Sequence, residues 1–522
     1  MPYNKKQWRL FYDQNAFFTN PPPLRSICII ALILSLCACS LVNDLSSERA
    51  SLSFTITGEL ADRINSASRA RSADSADGLY LDIALEGDYE DEKTISVSEG
   101  SSVKFENIPT GLSVYATAQA YEMDGGEKFV FYEGESEKIT IQEGENALSL
   151  FLQKVESDII RLYISANGNA NDGNGSKAKP FKTLAQACHE ITDATKTYWL
   201  IIEGELAGNQ LLVDDDQIGE VYQAKAIVIK GNSENGADGI NANNKTRALT
   251  IGTAVPVTLK NMTITGGNMT ANGGDGGGLY VSNGANVTIA EGTIITGNQA
   301  ERGGGVFVET GGQLTMTGGT ISNNTASSMG GGVYPYSSDG FVMKGGTIDR
   351  NSAQNGGGIY LNTAGNSGNG FSMTGGTISN NTASSKGGGI YVFEYPKITL
   401  SNAKIIGNSA TSSGGGIFIG DANGYTHTIT GCTISENKVT SGNGGGLYLE
   451  SATTILTGGT KVLSNTASGS GGGAYVKATL NIENATFSGN SASTGNAFST
   501  YNIDSVVTGY SNIPEEDYDL AN

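Results

Sequence analysis

Side chains able to do chemistry are sparse in this chain, and their spacing limits what they could do. There are two histidines, His189 and His427, far apart in sequence. The acids of the second half (Glu291, Glu301, Glu309, Asp339, Asp349, Asp421, Glu436, Glu450 and Glu483 among them) do not recur at matched positions. No pair of carboxylates is therefore set up for general acid–base work. Of the five cysteines, Cys28, Cys37 and Cys39 crowd near the N-terminus, and Cys188 and Cys432 stand alone, which is neither a disulfide framework nor a zinc spacing. Asn171-Asp172-Gly173 and Asp214-Asp215-Asp216 lack the ligand spacing of a calcium loop and read as solvated turns. No catalytic residue, metal or cofactor is expected. What does recur is aromatic: Tyr280, Phe307, Tyr334, Tyr360, Tyr391, Phe418, Tyr448 and Tyr475, each followed and preceded by a small or aliphatic residue. A row of rings can bind a sugar or a protein, or can simply stack upon itself. Asparagine recurs as well, at Asn298, Asn324, Asn351, Asn381, Asn408, Asn437, Asn465 and Asn490.

These residues are positioned by a repeat. Glycine triplets begin at Gly276, Gly303, Gly330, Gly356, Gly387, Gly414, Gly444 and Gly471, with spacings of 27, 27, 26, 31, 27, 30 and 27. That period without helical periodicity marks a solenoid. After each triplet comes a run such as Val306-Phe307-Val308 or Ile359-Tyr360-Leu361, whose alternation sends the aliphatics to one face and the ring to the other. A second run follows (Leu314/Met316, Phe371/Met373), then a single aliphatic or aromatic three residues before the asparagine (Ile321, Ile348, Ile378, Phe487). Three short strands per coil cannot bury a face alone, but stacked at about 4.8 Å they enclose a continuous interior. Glycine supplies positive φ and close coil contact. Asparagine tolerates left-handed backbone, and its stacked copies form a hydrogen-bonded ladder. The rings point outward in this reading, stacked from coil to coil as structural support, with an exposed binding stripe as the other reading. His427, aligned with Phe371, points inward as a neutral, hydrogen-bonded histidine.

The triplet-led strand with a downstream hydrophobe-x-x-Asn, spelled out as Phe487-Ser-Gly-Asn490, resembles the repeats of the chlamydial polymorphic outer-membrane proteins. The resemblance covers about 220 residues and implies a right-handed parallel β-helix displayed at a bacterial surface. Those proteins carry a membrane-spanning barrel, so attachment here is expected by another route. Residues 161–192, with Lys179-Pro-Phe-Lys-Thr183 leading into an amphipathic segment, resemble the entry of pectin-lyase-like β-helices. Leu184, Ala187, Cys188 and Ile191 share one face of a short helix expected to cover the N-terminal end. That fold also houses pectin-degrading enzymes, which need acids clustered with Lys, Arg or calcium on one outward face.

The first half sets the frame. Ile27 to Leu36 is an apolar run of ten preceded by Arg25, too short to span a bilayer but suited to an export signal. Leu36-Cys37-Ala38-Cys39 makes Cys39 resemble a bacterial lipoprotein acylation site, with Cys37 as the lesser candidate and translation expected to begin at Leu24. Residues 1–39 are thus read as a lipoprotein signal and 40–50 as a tether. Residues 51–155 are read as a β-sandwich spacer, with Val103 to Tyr121 resembling transthyretin-like or immunoglobulin-like domains. The β-helix is expected over 156–510, followed by an acidic tail at 511–522. The fold expected is all-β: an N-terminal β-sandwich, then a right-handed parallel β-helix of three strands per coil with a short N-terminal capping helix. A net charge of −20, with 24 acids against 9 bases between residues 40 and 160, argues against nucleic acid, because phosphate contacts need a basic face. The functional expectation is a lipid-anchored surface protein, an adhesin or display protein, with a glycan or surface-protein ligand. A polysaccharide lyase or hydrolase is the alternative.

Overall fold

The computed structural model describes residues 49–57, 79–154 and 158–520, with breaks at 89, 97–104, 125–126, 143–145, 215–221, 234–236, 338–339, 363–369, 395, 421–424, 502–505 and 512. The signal, Cys37, Cys39 and nearly all of the tether lie outside the described residues. The chain divides into two compact units between Ser157 and Asp158.

In the first unit eight strands between Arg49 and Lys154 are hydrogen-bonded into one sheet. They were expected to divide between two sheets. One sheet forms because Ser113–Asp124 and Glu127–Ser136 are long, and their partners join both groups of strands. Alternation buries Leu81, Ile83 and Leu85 on one strand and Ala116, Ala118 and Ala120 on the next.

The second unit is a right-handed parallel β-solenoid, about 11 turns from residue 192 onward. Four parallel sheets of 13, 11, 12 and 7 strands run along it. In a typical coil the chain passes through Gln313–Met316 on the first wall, Thr320–Ser322 on the second, Thr325–Met329 on the fourth and Val333–Pro335 on the third. The fourth wall is a correction to the expected three strands per coil. Its residues, Thr-Ala-Ser-Ser-Met in this coil, carry no large inward hydrophobe, so hydrophobic periodicity does not announce a strand. The inward position is small, alanine in most coils: Ala383, Ala410, Val439 and Ala467 form their own small buried column. The interior proper is one continuous apolar stack from Leu162 to Phe498.

Leu184–Cys188 forms a short helix, begun by a capping box between Thr183 and Gln186. Its buried Leu184, Ala187 and Cys188 join the interior core and lie against Ile159–Asn169 and Gln210–Val213. At the other end, residues expected as an acidic tail contribute structure. Tyr518–Asp519 adds the last strand of the third wall, and Tyr518 stacks on Phe498 at 5.1 Å. The apolar payload of Tyr510 and Tyr518, packed on the last coil, outweighs the surrounding charge.

Positive φ falls on the residue before each ladder asparagine (Asn323, Arg350, Asn380, Glu436, Ser464, Gly297, Gly407 and Gly489), not on the ladder asparagine itself. That left-handed residue turns the chain so that the next side chain enters the interior.

Candidate functional site

The ring row lies on the outer face of the third wall, between aliphatics that point inward: Ile359 and Leu361 are fully buried around Tyr360. The strand parity is as read from the sequence, but the exposure is not. Phe307, Tyr334, Tyr360, Tyr391, Phe418 and Tyr475 are themselves buried, and only Tyr280 and Tyr448 are half-buried. Two causes act together. The rings occupy one another's faces: Tyr360–Tyr391, Tyr391–Phe418 and Phe418–Tyr448 stack with centroids 4.9, 4.8 and 4.9 Å apart. The remaining surface is roofed by long side chains at the ends of fourth-wall strands. Arg302 lies over Phe307, Tyr334 and Tyr336, Lys386 lies 4.7 Å over Phe418, and Met329 packs on the same cluster. At the N-terminal end Arg247 covers the free face of Tyr280 at 4.3 Å. Arg302 is held in place by a bidentate pair with Asp275 at 2.7 and 2.6 Å.

A pyranose stacking on an aromatic residue needs a free ring face, and this row has used its faces on itself. Its tyrosines also carry phenol hydroxyls, held in buried surroundings. Burial, with Glu450 and Glu394 nearby, pushes the Tyr391 phenol up to about 12. Burial raises Tyr360 and Tyr448 further still, so these phenols stay protonated donors. Flanking the row, Tyr336 and Phe393 add a second, partly covered file, and Lys477 pairs with Glu450 at 3.0 Å.

The asparagines come together inside the solenoid at the corner between the second and fourth walls. Asn324 shows the pattern. Its Nδ2 donates to the carbonyl of Ile295 (2.9 Å) and to Asn351 Oδ1 (3.0 Å), while its own Oδ1 accepts from the backbone N–H and the Nδ2 of Asn298 (both 3.0 Å). The same bonds run coil by coil from Asn298 to Asn490. From Asn324 to Asn465 both amide hydrogens are used and each oxygen accepts twice, which is what makes a buried amide tolerable. The third glycine of the triplets from Gly276 to Gly444 faces this ladder: a Cβ on Gly305 would lie 2.9 Å from Asn324 Nδ2 and 2.9 Å from the Ile321 methyl.

His427 sits at the level of Ile398 and hence of Phe371, fully buried, and its Nδ1 accepts from the Ile398 N–H at 3.2 Å. Burial, aided by the charge of Lys397, lowers its pKa to about 4. An unfolded histidine titrates near 6.5. The folded value is depressed, so the stabilisation is complete above pH 6.5 and is lost as pH falls towards 4. The expected loss is about 3 kcal/mol across that window. Urea denaturation at pH 7 and pH 4 measures it. His427→Leu should have a smaller difference between the two pH values, and an unchanged difference would refute the assignment.

Among the described residues, no group of three or more His, Cys, Asp and Glu is arranged to hold a metal. Cys188 and Cys432 are both buried, and neither is in a disulfide. Two carboxylates that sequence reasoning did not single out lie at an early corner. Burial raises the pKa of Glu203, whereas that of Asp238 is lowered: burial opposes the shift, but bonds from Ser233, Gly204 and Asn232 outweigh it. No motif marks them: Glu203 meets Asn232, and Asp238 meets Gly204, only across coils.

Residues 317–492 match the family described as "Right handed beta helix region". No curated protein and no solved structure matches the chain significantly. The family match and the parallel solenoid define the class as a β-helix repeat protein.

Proposed function

We propose that this is a lipid-anchored cell-surface β-helix protein whose role is adhesion or display. In this reading Cys39 carries the acyl chains, residues 51–155 act as a spacer, the helix at Leu184–Cys188 caps the solenoid, and the rod faces outward at the outer membrane or cell surface. The observation that carries it is where the repeated residues are used. Asparagine, glycine, aliphatic and aromatic positions are all consumed in rigidity, leaving outward positions such as Thr315, Ser372 and Thr399 short, polar and variable. A stiff rod with a hydroxyl-rich, changeable surface suits presentation of a binding face to a glycan or a surface protein. The ring row then contributes a rigid backing to that face, not stacking platforms.

Two measurements test this. Acylation supplies roughly 0.8 kcal/mol per buried methylene, and two or more chains make anchoring stable. Cys39→Ala is expected to move the protein out of the detergent phase, while Cys188→Ala and Cys432→Ala remain in it. Normal partitioning of the Cys39 variant would sink the anchor. On glycan and protein arrays, the protein without residues 1–39 should show saturable binding without turnover.

The alternative, a polysaccharide lyase or hydrolase, has the opposed pair Glu203 and Asp238 on its side, since divergent pKa values mark acid and base partners. Against it, Asp238 is committed to the turn, accepting from Gly204 N–H at 2.6 Å and from Ser233. Chain cleavage of any arrayed polysaccharide, abolished by Glu203→Gln, would favour the enzyme.

A further inference from the structure

We propose that His427 and Thr454 bind one water molecule between them inside the solenoid, a sealed polar site in an otherwise apolar column. The inward column of the first wall reads Val287, Leu314, Phe341, Phe371, Ile398, His427, Thr454 and Leu480, each in register with the next coil. Polar residues occupy two consecutive places in it, and both are fully buried. Among the described residues, His427 Nε2 and Thr454 Oγ1 are the buried side-chain polar atoms without a hydrogen-bond partner.

Their coincidence is informative because other buried polar groups are satisfied. Thr460 Oγ1 bonds to the carbonyls of Ile429 and Thr457, Thr293 Oγ1 donates to that of Leu259, and the asparagines saturate one another. Leaving a donor or acceptor buried and unpaired is costly, so two unpaired groups one strand spacing apart point to a shared partner.

The chemistry of that partner follows from the tautomer. Since Nδ1 accepts the Ile398 N–H, it carries no hydrogen, and neutral His427 must hold its hydrogen on Nε2. Nε2 therefore needs an acceptor, while the Thr454 hydroxyl can give or take. The bridging group must accept from nitrogen, donate to or accept from oxygen, carry no charge, and be small. Water meets all four conditions, and an anion fails because burial disfavours charge here. Thr454 also has a shorter side chain than Leu480 and Ile398 in the same column, so it fills less of the interior at its level. A buried water with such partners is part of a fold and is costly to remove.

The full chain solved at high resolution tests this. The expected result is a density peak within hydrogen-bond distance of both Nε2 and Oγ1. A dry contact, or a direct Nε2–H to Oγ1 bond, overturns the proposal. Denaturation midpoints provide an independent arm. Thr454→Val and His427→Leu should each lower the midpoint, because each strands the other polar group. The double variant His427→Leu/Thr454→Val should lose less than the sum of the two. A loss equal to that sum shows the pair to be uncoupled and overturns the proposal equally.

Discussion

Asn381→Leu should destabilise the solenoid by on the order of 4 kcal/mol. Asn381 accepts from the N–H and Nδ2 of Asn351 at 2.9 and 3.0 Å, and donates to the Ile348 carbonyl and to Asn408 Oδ1, each at 3.0 Å. Leucine nearly preserves the volume but strands two buried donors on Asn351 and removes one bond from each acceptor. Stranded groups cost about 1–3 kcal/mol apiece. Asn381→Asp should be worse, because it places acceptor against acceptor at Asn408 Oδ1 and Ile348 O in a site that disfavours charge. Denaturation measures the total. Hydrogen exchange at the Asn351 and Asn408 amides measures where it falls, since each coil leans chiefly on its neighbours. A loss below about 1 kcal/mol for the leucine variant would mean that the ladder decorates the corner without supporting it.

Gly388→Ala is the second, and its cause is steric. A Cβ there would lie 2.4 Å from Gly415 O and 2.5 Å from Ser409 O, both main-chain atoms of the next coil. No rotamer change relieves that contact, so the coils must part, breaking the strand pairing on either side. Overpacking of side chains costs about 1–3 kcal/mol, and a backbone collision should reach or exceed the top of that range. Gly459→Ala is the control: its φ is +77° but nothing lies within 4 Å. It should cost only the left-handed conformation, about 1–2 kcal/mol. Equal losses for the two would show that close coil contact is not what the triplets are for.

Much of the fold is legible because a solenoid repeats its own instructions. The triplet spacing gives the coil, and the alternation in Ile359-Tyr360-Leu361 gives the inward face. The alignment of Ile429 with Met373 puts His427 inside despite an inserted loop. These are local, period-two consequences of strand geometry, and a sequence carries them. The fourth wall was not legible, because a strand of Thr, Ala and Ser has no hydrophobic rhythm and is held by main-chain bonds to its neighbours. The single eight-stranded sheet of the first unit depends on which strands pair, a long-range matter.

The ring row shows the division most clearly. Sequence alone determines that an aromatic recurs on the outer side of each coil. Whether its face is free depends on what lies across it, and only the tertiary structure brings Arg302, Met329 and Lys386 from the fourth wall over rings on the third. Sequence likewise places an asparagine in each coil, whereas its saturation depends on three coils at once: a carbonyl acceptor and two donors behind it, an acceptor ahead and a left-handed residue that turns it inward. The orphaned pair His427 and Thr454 belongs to the same class. Separated by 27 residues, the two become partners only because parallel coils set equivalent positions one strand spacing apart.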